Sequence, residues 1–168
     1  MLLLKQYLVE ERREIQRQGL RFRVIGKTSE LDPLIQAEMQ KTIEASQDND
    51  GMMLCLAINY GARMEITEAV QQIARSVRNG DLAPDEITER TVAEHLMTAG
   101  MPDPDLLIRT ASEYRISNFL LWQISYSEIW VSEKYWPEFR DNDLRDAIRE
   151  FARRDRRFGG LKAETVKE

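Results

Sequence analysis

The sequence predicts an α/β fold with a mainly parallel central sheet flanked by helices. Short apolar runs that suit strands alternate along the chain with longer segments of helical periodicity. The chain has 168 residues, of which 42% are hydrophobic. A core of that size needs neither disulfides nor a structural metal. We therefore predict a single α/β domain over residues 1–168.

Helix signals recur between the predicted strands. Residues 1–18 suit a helix that ends at Gly19. Asp32-Pro33 is typical of a helix start, with Asp as N-cap and Pro in the first turn. Further helices are expected over residues 66–79, 88–97 (capped by Thr88), 117–126 and 141–157. The predicted inner stripe of the last helix contains Leu144, Ile148 and Phe151.

Four apolar runs are predicted to form the strands, at residues 21–25, 52–58, 105–109 and 128–132. The continuous apolar run at 52–58 is typical of a strand that is buried on both faces. Cys55 lies inside that run and is interpreted as a small core residue. As the only cysteine, it excludes an intramolecular disulfide and a cysteine-based zinc site.

Charge and hydropathy exclude several classes of protein. There are 24 Lys and Arg against 29 Asp and Glu, a net charge of −5, which argues against a general nucleic-acid binder. The longest apolar run is far shorter than the ~20 residues of a membrane span, and no signal-peptide pattern is present. We expect a cytoplasmic protein. His95, the only histidine, is interpreted as a surface residue.

The stretch from Asp105 to Gln123 carries the candidate ligand-binding residues. Arg109 closes a predicted strand, Arg115 follows after a polar loop, and Ser117 opens a predicted helix. Two guanidinium groups and a helix N-terminus at the carboxyl end of a parallel sheet would bind phosphate oxygens. The alternative is an Arg109–Glu113 ion pair, with Ser117 as an ordinary cap.

Glu128 and the tryptophans each allow more than one interpretation. Glu128 would enter the next strand near the same sheet edge, where a carboxylate could hold Mg²⁺ against a diphosphate. The alternative is a solvated glutamate at a strand end. Trp122, Trp130 and Trp136 are interpreted as core or interface aromatics.

Five segments match one known family in their order along the chain: Asn59-Tyr60-Gly61-Ala62-Arg63, residues 105–123, Glu128, Trp136-Pro137-Glu138-Phe139 and Arg156-Arg157-Phe158-Gly159-Gly160. In these segments the chain resembles the cis-prenyltransferases, the undecaprenyl diphosphate synthase family. The resemblance implies condensation of isopentenyl diphosphate with an allylic diphosphate such as farnesyl diphosphate, giving a Z-polyprenyl diphosphate such as undecaprenyl diphosphate. It also implies Mg²⁺ as cofactor, a homodimer, and peripheral membrane contact through the lipid product.

The resemblance further implies roles for individual residues. Three residues are similar to those that bind the diphosphate of isopentenyl diphosphate in the family: Arg109, Arg115 and Ser117. Further candidates for the pocket are Asn59, Arg63 and Glu113. Glu128 looks like a Mg²⁺-associated glutamate. Arg157 and Gly159 match an Arg-x-Gly element that reaches the active site of the partner subunit.

The chain also departs from the family pattern. It contains no Asp-Gly-Asn-Gly-Arg-Trp loop, the source of the catalytic aspartate, so no catalytic residue is assigned. We interpret it as the C-terminal part of a family domain whose N-terminal strands are missing, less stable than an intact domain and weak or inactive alone. Family members usually have Gly before the glutamate of this loop, whereas this chain has Ala111-Ser112 before Glu113. Tyr114 stands where some members have His.

Two functions of other classes remain open at this point. One is a non-catalytic partner subunit of a heteromeric cis-prenyltransferase. Partner subunits of the family degrade the isopentenyl-diphosphate motif, whereas this chain keeps Arg109, Arg115 and Ser117. The other is a generic phosphate-binding α/β module, which would not explain a match that extends beyond that motif.

Overall fold

The structure is a computed structural model that describes residues 2–154, with side chains from residue 3 onwards. Arg157, Gly159 and the predicted helix stop at Gly159-Gly160 lie outside the described residues. The chain divides into two compact units, residues 1–100 and 101–168. Each contains its own pair of parallel strands. The prediction of a single domain stays a prediction.

The first unit alternates helices and strands. Its elements are α1 (Leu2–Glu10), α2 (Arg12–Arg17), β1 (Arg21–Ile25), α3 (Pro33–Ser46), β2 (Met53–Ala57), α4 (Ala62–Asn79) and α5 (Glu89–His95). β1 and β2 pair in parallel, with Arg21 opposite Met53 and Ile25 opposite Ala57. A parallel pair needs a crossover connection, and α3 provides it.

Local capping signals place the helix ends where the sequence predicts them. The Asp32 carboxylate accepts a hydrogen bond from the N–H of Leu34 at 2.8 Å and starts α3. The Thr88 hydroxyl accepts one from the N–H of Thr91 at 3.2 Å and starts α5. Gly19 and Gly80 both adopt left-handed φ, 65° and 82°, at helix ends. These starts and stops are confirmed.

The two faces of the β1–β2 pair contact different parts of the unit. Phe22 belongs to a core cluster with residues of α1, α2 and α3, and Val24, Leu54 and Leu56 pack against that cluster. Arg23 alternates to the opposite face. Its guanidinium donates to the carbonyl oxygens of Met97 (2.7 Å) and Ala99 (3.0 Å). This unit therefore has layers on both sides of its sheet.

Two details of the first unit differ from the sequence prediction. The predicted helix over 1–18 is interrupted at Glu11, which separates α1 from α2. β2 is half-buried rather than buried on both faces, since four of its five residues are partly exposed and Ala57 is exposed. Cys55 is half-buried within β2, and burial raises the pKa of its thiol. A raised thiol pKa favours the structural interpretation over a reactive thiolate.

A largely buried ion pair joins α2 to α3. Arg12 Nη2 donates to Glu38 Oε2 at 2.5 Å, and its Nε donates to the Thr42 hydroxyl at 3.0 Å. Lys41 donates to the other Glu38 oxygen at 2.8 Å. These hydrogen bonds, from Lys41 and then Arg12, lower the pKa of Glu38 from 4.5 to about 2.

Glu38 is expected to make the stability of the fold depend on pH in acid. Its pKa is lower in the folded chain than in the unfolded chain. Its stabilising contribution is therefore fully present above pH 4.5 and is lost as the pH falls towards about 2. Glu38→Gln should flatten the pH dependence of the urea midpoint over that range. Glu94→Gln, at an exposed pair with Arg90, is the control. An equally steep profile in Glu38→Gln would contradict this origin.

The second unit contains β3 (Leu106–Arg109), β4 (Glu128–Val131) and α6 (Asp141–Arg153). β3 and β4 pair in parallel, with Leu106 opposite Glu128 and Arg109 opposite Val131. Every strand pair within residues 2–154 is thus parallel. Strands that alternate with helices and pair in parallel confirm the predicted α/β class.

The predicted helix over residues 117–126 is wrong. Ser117, Asn118 and Leu120 have left-handed φ values of 57°, 59° and 45°, which a right-handed α-helix cannot include. The segment instead forms successive bends and turns. One of them is closed by a hydrogen bond from the N–H of Ile124 to the carbonyl oxygen of Leu120, at 3.0 Å.

The predicted inner stripe of α6 is wrong in part. Leu144 and Ile148 are 43% and 51% exposed, whereas Ala147 is fully buried. The face of α6 that packs is therefore centred on the small Ala147, and the larger side chains flank it. Trp136 is also exposed and stacks on Phe139, with ring centroids 5.7 Å apart. Trp136 is therefore not a core residue, and its alternative interpretation as an interface aromatic stays a prediction.

Candidate functional site

Arg109 ends β3 and so lies at the carboxyl edge of the second unit's sheet. Its Nε is buried and has no hydrogen-bond partner among residues 2–154. A buried donor without an acceptor costs about 1–3 kcal/mol. The guanidinium is therefore placed to receive an acceptor that the described chain does not supply. An anionic ligand oxygen would satisfy it.

The alternative ion pair between Arg109 and Glu113 is wrong. Arg115 Nη2 instead lies 2.7 Å from each of the two Glu113 carboxylate oxygens. The Arg115 side chain is 73% exposed, and that of Glu113 is 31% exposed. Glu113 therefore orients Arg115 and leaves Arg109 without a carboxylate partner in the described chain.

The loop after Arg109 is fixed by backbone hydrogen bonds. The N–H of Ala111 donates to the carbonyl oxygen of Lys134 at 2.8 Å, and the N–H of Ser112 donates to the carbonyl oxygen of Ser132 at 2.9 Å. Both bonds tie the loop to the segment after β4. These two bonds fix the backbone immediately before Glu113.

Ser117 is exposed and does not start a helix, because its backbone is left-handed. The helix N-terminus that was expected to assist phosphate binding is therefore absent from the described second unit. Arg109, Arg115 and Ser117 lie on one strand end and the loop that follows it. Arg109 is half-buried, whereas Arg115 and Ser117 are exposed.

Glu128 does not lie at the same sheet edge as Arg109. It is the first residue of β4, opposite Leu106. The strands run in parallel, so Glu128 is three residues, roughly 10 Å at 3.3 Å per residue, from the level of Arg109. The prediction that Glu128 and Arg109 share a sheet edge is wrong, because the register places the start of β4 beside the start of β3 and Arg109 is at the end of β3.

Glu128 is held in an ion pair within the described residues. Its Oε2 accepts a hydrogen bond from Arg154 Nη1 at 2.9 Å. Arg154 also bonds Glu150 at 2.7 Å, so Glu128 belongs to an ion-pair network at the end of α6. The residues that the structure describes include no group of three potential ligands. The described residues thus do not fit a Mg²⁺ ion held by the chain alone.

Asn59 and Arg63 lie in the first unit, after β2. Asn59 Nδ2 donates to the Lys27 carbonyl oxygen (3.2 Å) and to the Glu30 carboxylate (2.9 Å). The N–H of Lys27 donates back to the Asn59 carbonyl oxygen at 3.1 Å. Asn59 therefore joins the turns that follow β1 and β2. Arg63 is exposed in the first turn of α4.

Glu65 is a buried carboxylate that the sequence interpretation missed. It is 1% exposed and accepts hydrogen bonds from the Tyr60 hydroxyl (2.5 Å) and the N–H of Met97 (2.8 Å). An acidic residue in the first turn of a helix is ordinarily explained by the helix dipole. The available signal was its spacing, since Ala69 and Ile73, four and eight residues later, form the buried stripe of α4.

Comparison with known proteins shows the family. Residues 1–159 match the family model described as "Putative undecaprenyl diphosphate synthase". The chain belongs to the undecaprenyl diphosphate synthase family. It is 52% identical over 161 residues to an isoprenyl transferase of Rhodopirellula baltica, covering 96% of this chain and 66% of that protein. It is 44% identical to one of Geobacillus kaustophilus, covering 97% and 63%.

Solved structures agree with this family assignment. Lavandulyl diphosphate synthase from Lavandula x intermedia, solved with dimethylallyl diphosphate, is 40% identical with a TM-score of 0.92, over 95% of this chain and 69% of that one. A "probable undecaprenyl diphosphate synthase" from Campylobacter jejuni is 34% identical with a TM-score of 0.80, over 94% and 71%. This chain spans about two thirds of the length of these relatives. In its described part, no helix is long and apolar enough to cross a membrane.

The loop that departs from the family pattern does carry left-handed backbone. Ala111 and Ser112 have φ values of 60° and 52°, where a Cβ costs roughly 1–2 kcal/mol per residue. Glycine would remove this strain, but part of the gain in stability would be offset because glycine loses more backbone entropy on folding. Tyr114 is 85% exposed beside this loop.

Ser112→Gly is therefore expected to stabilise this member of the family by up to about 1 kcal/mol. The urea midpoint should rise. Ser29→Gly, at an exposed serine whose φ is negative, should lower it. A Ser112→Gly midpoint at or below that of the wild type would show that the loop carries no removable strain.

Proposed function

We propose that this chain takes part in prenyl transfer, in which isopentenyl diphosphate condenses with an allylic diphosphate such as farnesyl diphosphate. In that reaction the allylic C–O bond breaks and the diphosphate leaves with the electron pair. The double bond of isopentenyl diphosphate attacks the allylic carbon, and a proton is lost. The product would be a Z-polyprenyl diphosphate such as undecaprenyl diphosphate.

The buried, unsatisfied Nε of Arg109 is the observation that supports this role best. The guanidinium lies at the carboxyl end of a parallel strand, the edge where ligands bind in α/β folds. A diphosphate oxygen would accept its hydrogen bond and balance its charge. Arg115, held by Glu113 at 2.7 Å, would supply a second, more exposed cation from the same loop.

The cofactor and the assembly are proposed from the resemblance to the family rather than from contacts. We propose that Mg²⁺ takes part through the diphosphates, since Mg²⁺ commonly binds substrate phosphates together with one or two carboxylates. A homodimer and a cytoplasmic location with peripheral membrane contact are part of the same proposal.

The second candidate function is that of a non-catalytic partner subunit. The retained Arg109, Arg115 and Ser117 favour the catalytic function.

Transfer of label from isopentenyl diphosphate to lipid tests the proposal. The purified chain is incubated with radiolabelled isopentenyl diphosphate, farnesyl diphosphate and Mg²⁺, and label is counted in a butanol extract. A parallel sample without farnesyl diphosphate measures background, and circular dichroism verifies that the sample is folded. Binding of isopentenyl diphosphate is measured by calorimetry on the same sample.

Each outcome discriminates between the candidates. Label above background would establish prenyl transfer and overturn the expectation that the chain is inactive alone. Binding without transfer would favour the partner-subunit function. A folded chain that neither binds isopentenyl diphosphate nor transfers label would contradict the proposal.

A further inference from the structure

The side chain of Arg154 brings together oxygen atoms from two elements of the second unit. Arg154 comes directly after α6. Its Nη1 donates to Glu128 Oε2 and to the carbonyl oxygen of Ile129, both at 2.9 Å, and its Nη2 donates to Glu150 Oε1 at 2.7 Å. These three acceptors, from the start of β4 and the end of α6, form one oxygen set around a single guanidinium group.

The oxygen set is also held by contacts that do not involve Arg154. The N–H of Glu128 donates to the carbonyl oxygen of Asp105 at 2.9 Å, which fixes the start of β4. The second carboxylate oxygen of Glu150 accepts a hydrogen bond from Trp130 Nε1 at 2.9 Å. Removing the guanidinium would therefore leave these oxygen atoms close to their places but without their cation.

Carboxylate and carbonyl oxygens are also the ligands that hard divalent cations such as Mg²⁺ prefer. A guanidinium group and a divalent cation cannot share the oxygen set, because both are positive and repel each other at such short range. Arg154 is tethered to the chain, so its effective concentration at the oxygen set is far above that of a free ion. Its side chain is only 29% exposed and that of Glu128 only 31%, which weakens screening by salt.

We propose that Arg154 is the counterion of the oxygen set and keeps free divalent cations away from Glu128. This inference rests on the proposed function, because Glu128 is the glutamate that the resemblance associates with Mg²⁺. Since Glu128 is already paired with Arg154, the free chain does not hold Mg²⁺ there. Mg²⁺ for prenyl transfer therefore has to be supplied together with a diphosphate.

Binding of Mn²⁺ alone tests the proposal, because Mn²⁺ accepts the same oxygen ligands as Mg²⁺ and its free form is measured by electron paramagnetic resonance. Arg154→Gln should raise the affinity for Mn²⁺ about tenfold, since one close positive charge is removed. The gain should vanish in Arg154→Gln/Glu128→Gln. Arg149→Gln removes the same charge from an exposed pair with Asp146 on α6, and this matched control should bind like the wild type. No gain in a folded Arg154→Gln, an equal gain in Arg149→Gln, or a gain that persists without Glu128 would overturn the proposal.

Nuclear magnetic resonance of the Trp130 indole provides a second measurement that needs no change at Arg154. Trp130 bonds Glu150, so paramagnetic Mn²⁺ at the oxygen set would broaden its indole N–H signal, which Trp130→Phe assigns. The signal should broaden no more in the wild type than in Glu128→Gln, and stronger broadening in the wild type would overturn the proposal. Both measurements use the metal alone. If the wild type binds no isopentenyl diphosphate, the proposed function fails, and the Mn²⁺ measurements still decide the role of Arg154.

Discussion

Gly26→Ala is expected to destabilise the chain by about 3 kcal/mol or more, adding left-handed strain to overpacking. A Cβ at this position would lie 2.1 Å from the carbonyl oxygen of Ile58. The residue has φ 113°, a conformation that side chains with a Cβ rarely adopt. Neither problem can be relieved by rotating a side chain, because the opposing atom is backbone.

The surroundings of Gly26 also resist a backbone shift. The N–H of Ile58 donates to the carbonyl oxygen of Ile25 at 2.9 Å, and the N–H of Lys27 donates to that of Asn59 at 3.1 Å. Moving the two turns apart would break these bonds. The close approach of Gly26 to Ile58 therefore forms part of the edge that carries Asn59.

Gly80→Ala is the matched control for this prediction. Gly80 also has a left-handed φ, 82°, but a Cβ there would meet nothing within 4 Å. Its cost should be roughly 1 kcal/mol, from backbone strain alone. Urea unfolding of both variants measures the difference. Equal losses would show that the close approach to Ile58 contributes nothing.

Local signals in the sequence predicted local structure well. Asp32-Pro33 and Thr88 begin helices as expected, because a capping bond depends on residues within one turn of the chain. Strand positions were also correct to within a residue or two, since apolar runs between polar turns have few other solutions. The α/β class followed from these elements.

The prediction failed where a distant contact or a backbone conformation decides the outcome. The apolar run over 117–126 has a composition compatible with a helix, yet three residues with left-handed φ prevent one. Leu144 and Ile148 have the spacing of a buried stripe, but Ala147 is the residue that is fully buried. Glu128 was assigned to the wrong sheet edge because the register of two strands is not visible in either strand alone.

For the candidate site, the sequence predicted the strand end that carries Arg109 better than the arrangement of the loop after it. Arg109 does end a strand, and Glu113 does form an ion pair, although with Arg115. The burial of Glu65 is not visible in the sequence, because a first-turn glutamate is common on exposed helices. Only the folded chain shows that this one is buried between Tyr60 and Met97.

Arg109→Ala is expected to weaken binding of isopentenyl diphosphate about 100-fold, the scale of removing one partner of a buried charged pair. Arg115→Ala should cost much less, because Arg115 is 73% exposed and already paired with Glu113. Calorimetric titration with isopentenyl diphosphate measures both. Arg90→Ala, at an exposed helical arginine, is the control.

Arg109→Lys separates charge from geometry at the same position. A lysine keeps the positive charge but has no counterpart of the buried Nε, and it cannot bind two phosphate oxygens through a planar fork. If the unsatisfied Nε of Arg109 is what the ligand completes, Arg109→Lys should lose most of the affinity that Arg109→Ala loses. An Arg109→Lys variant that binds like the wild type would show that charge alone suffices, and that the buried donor has another purpose.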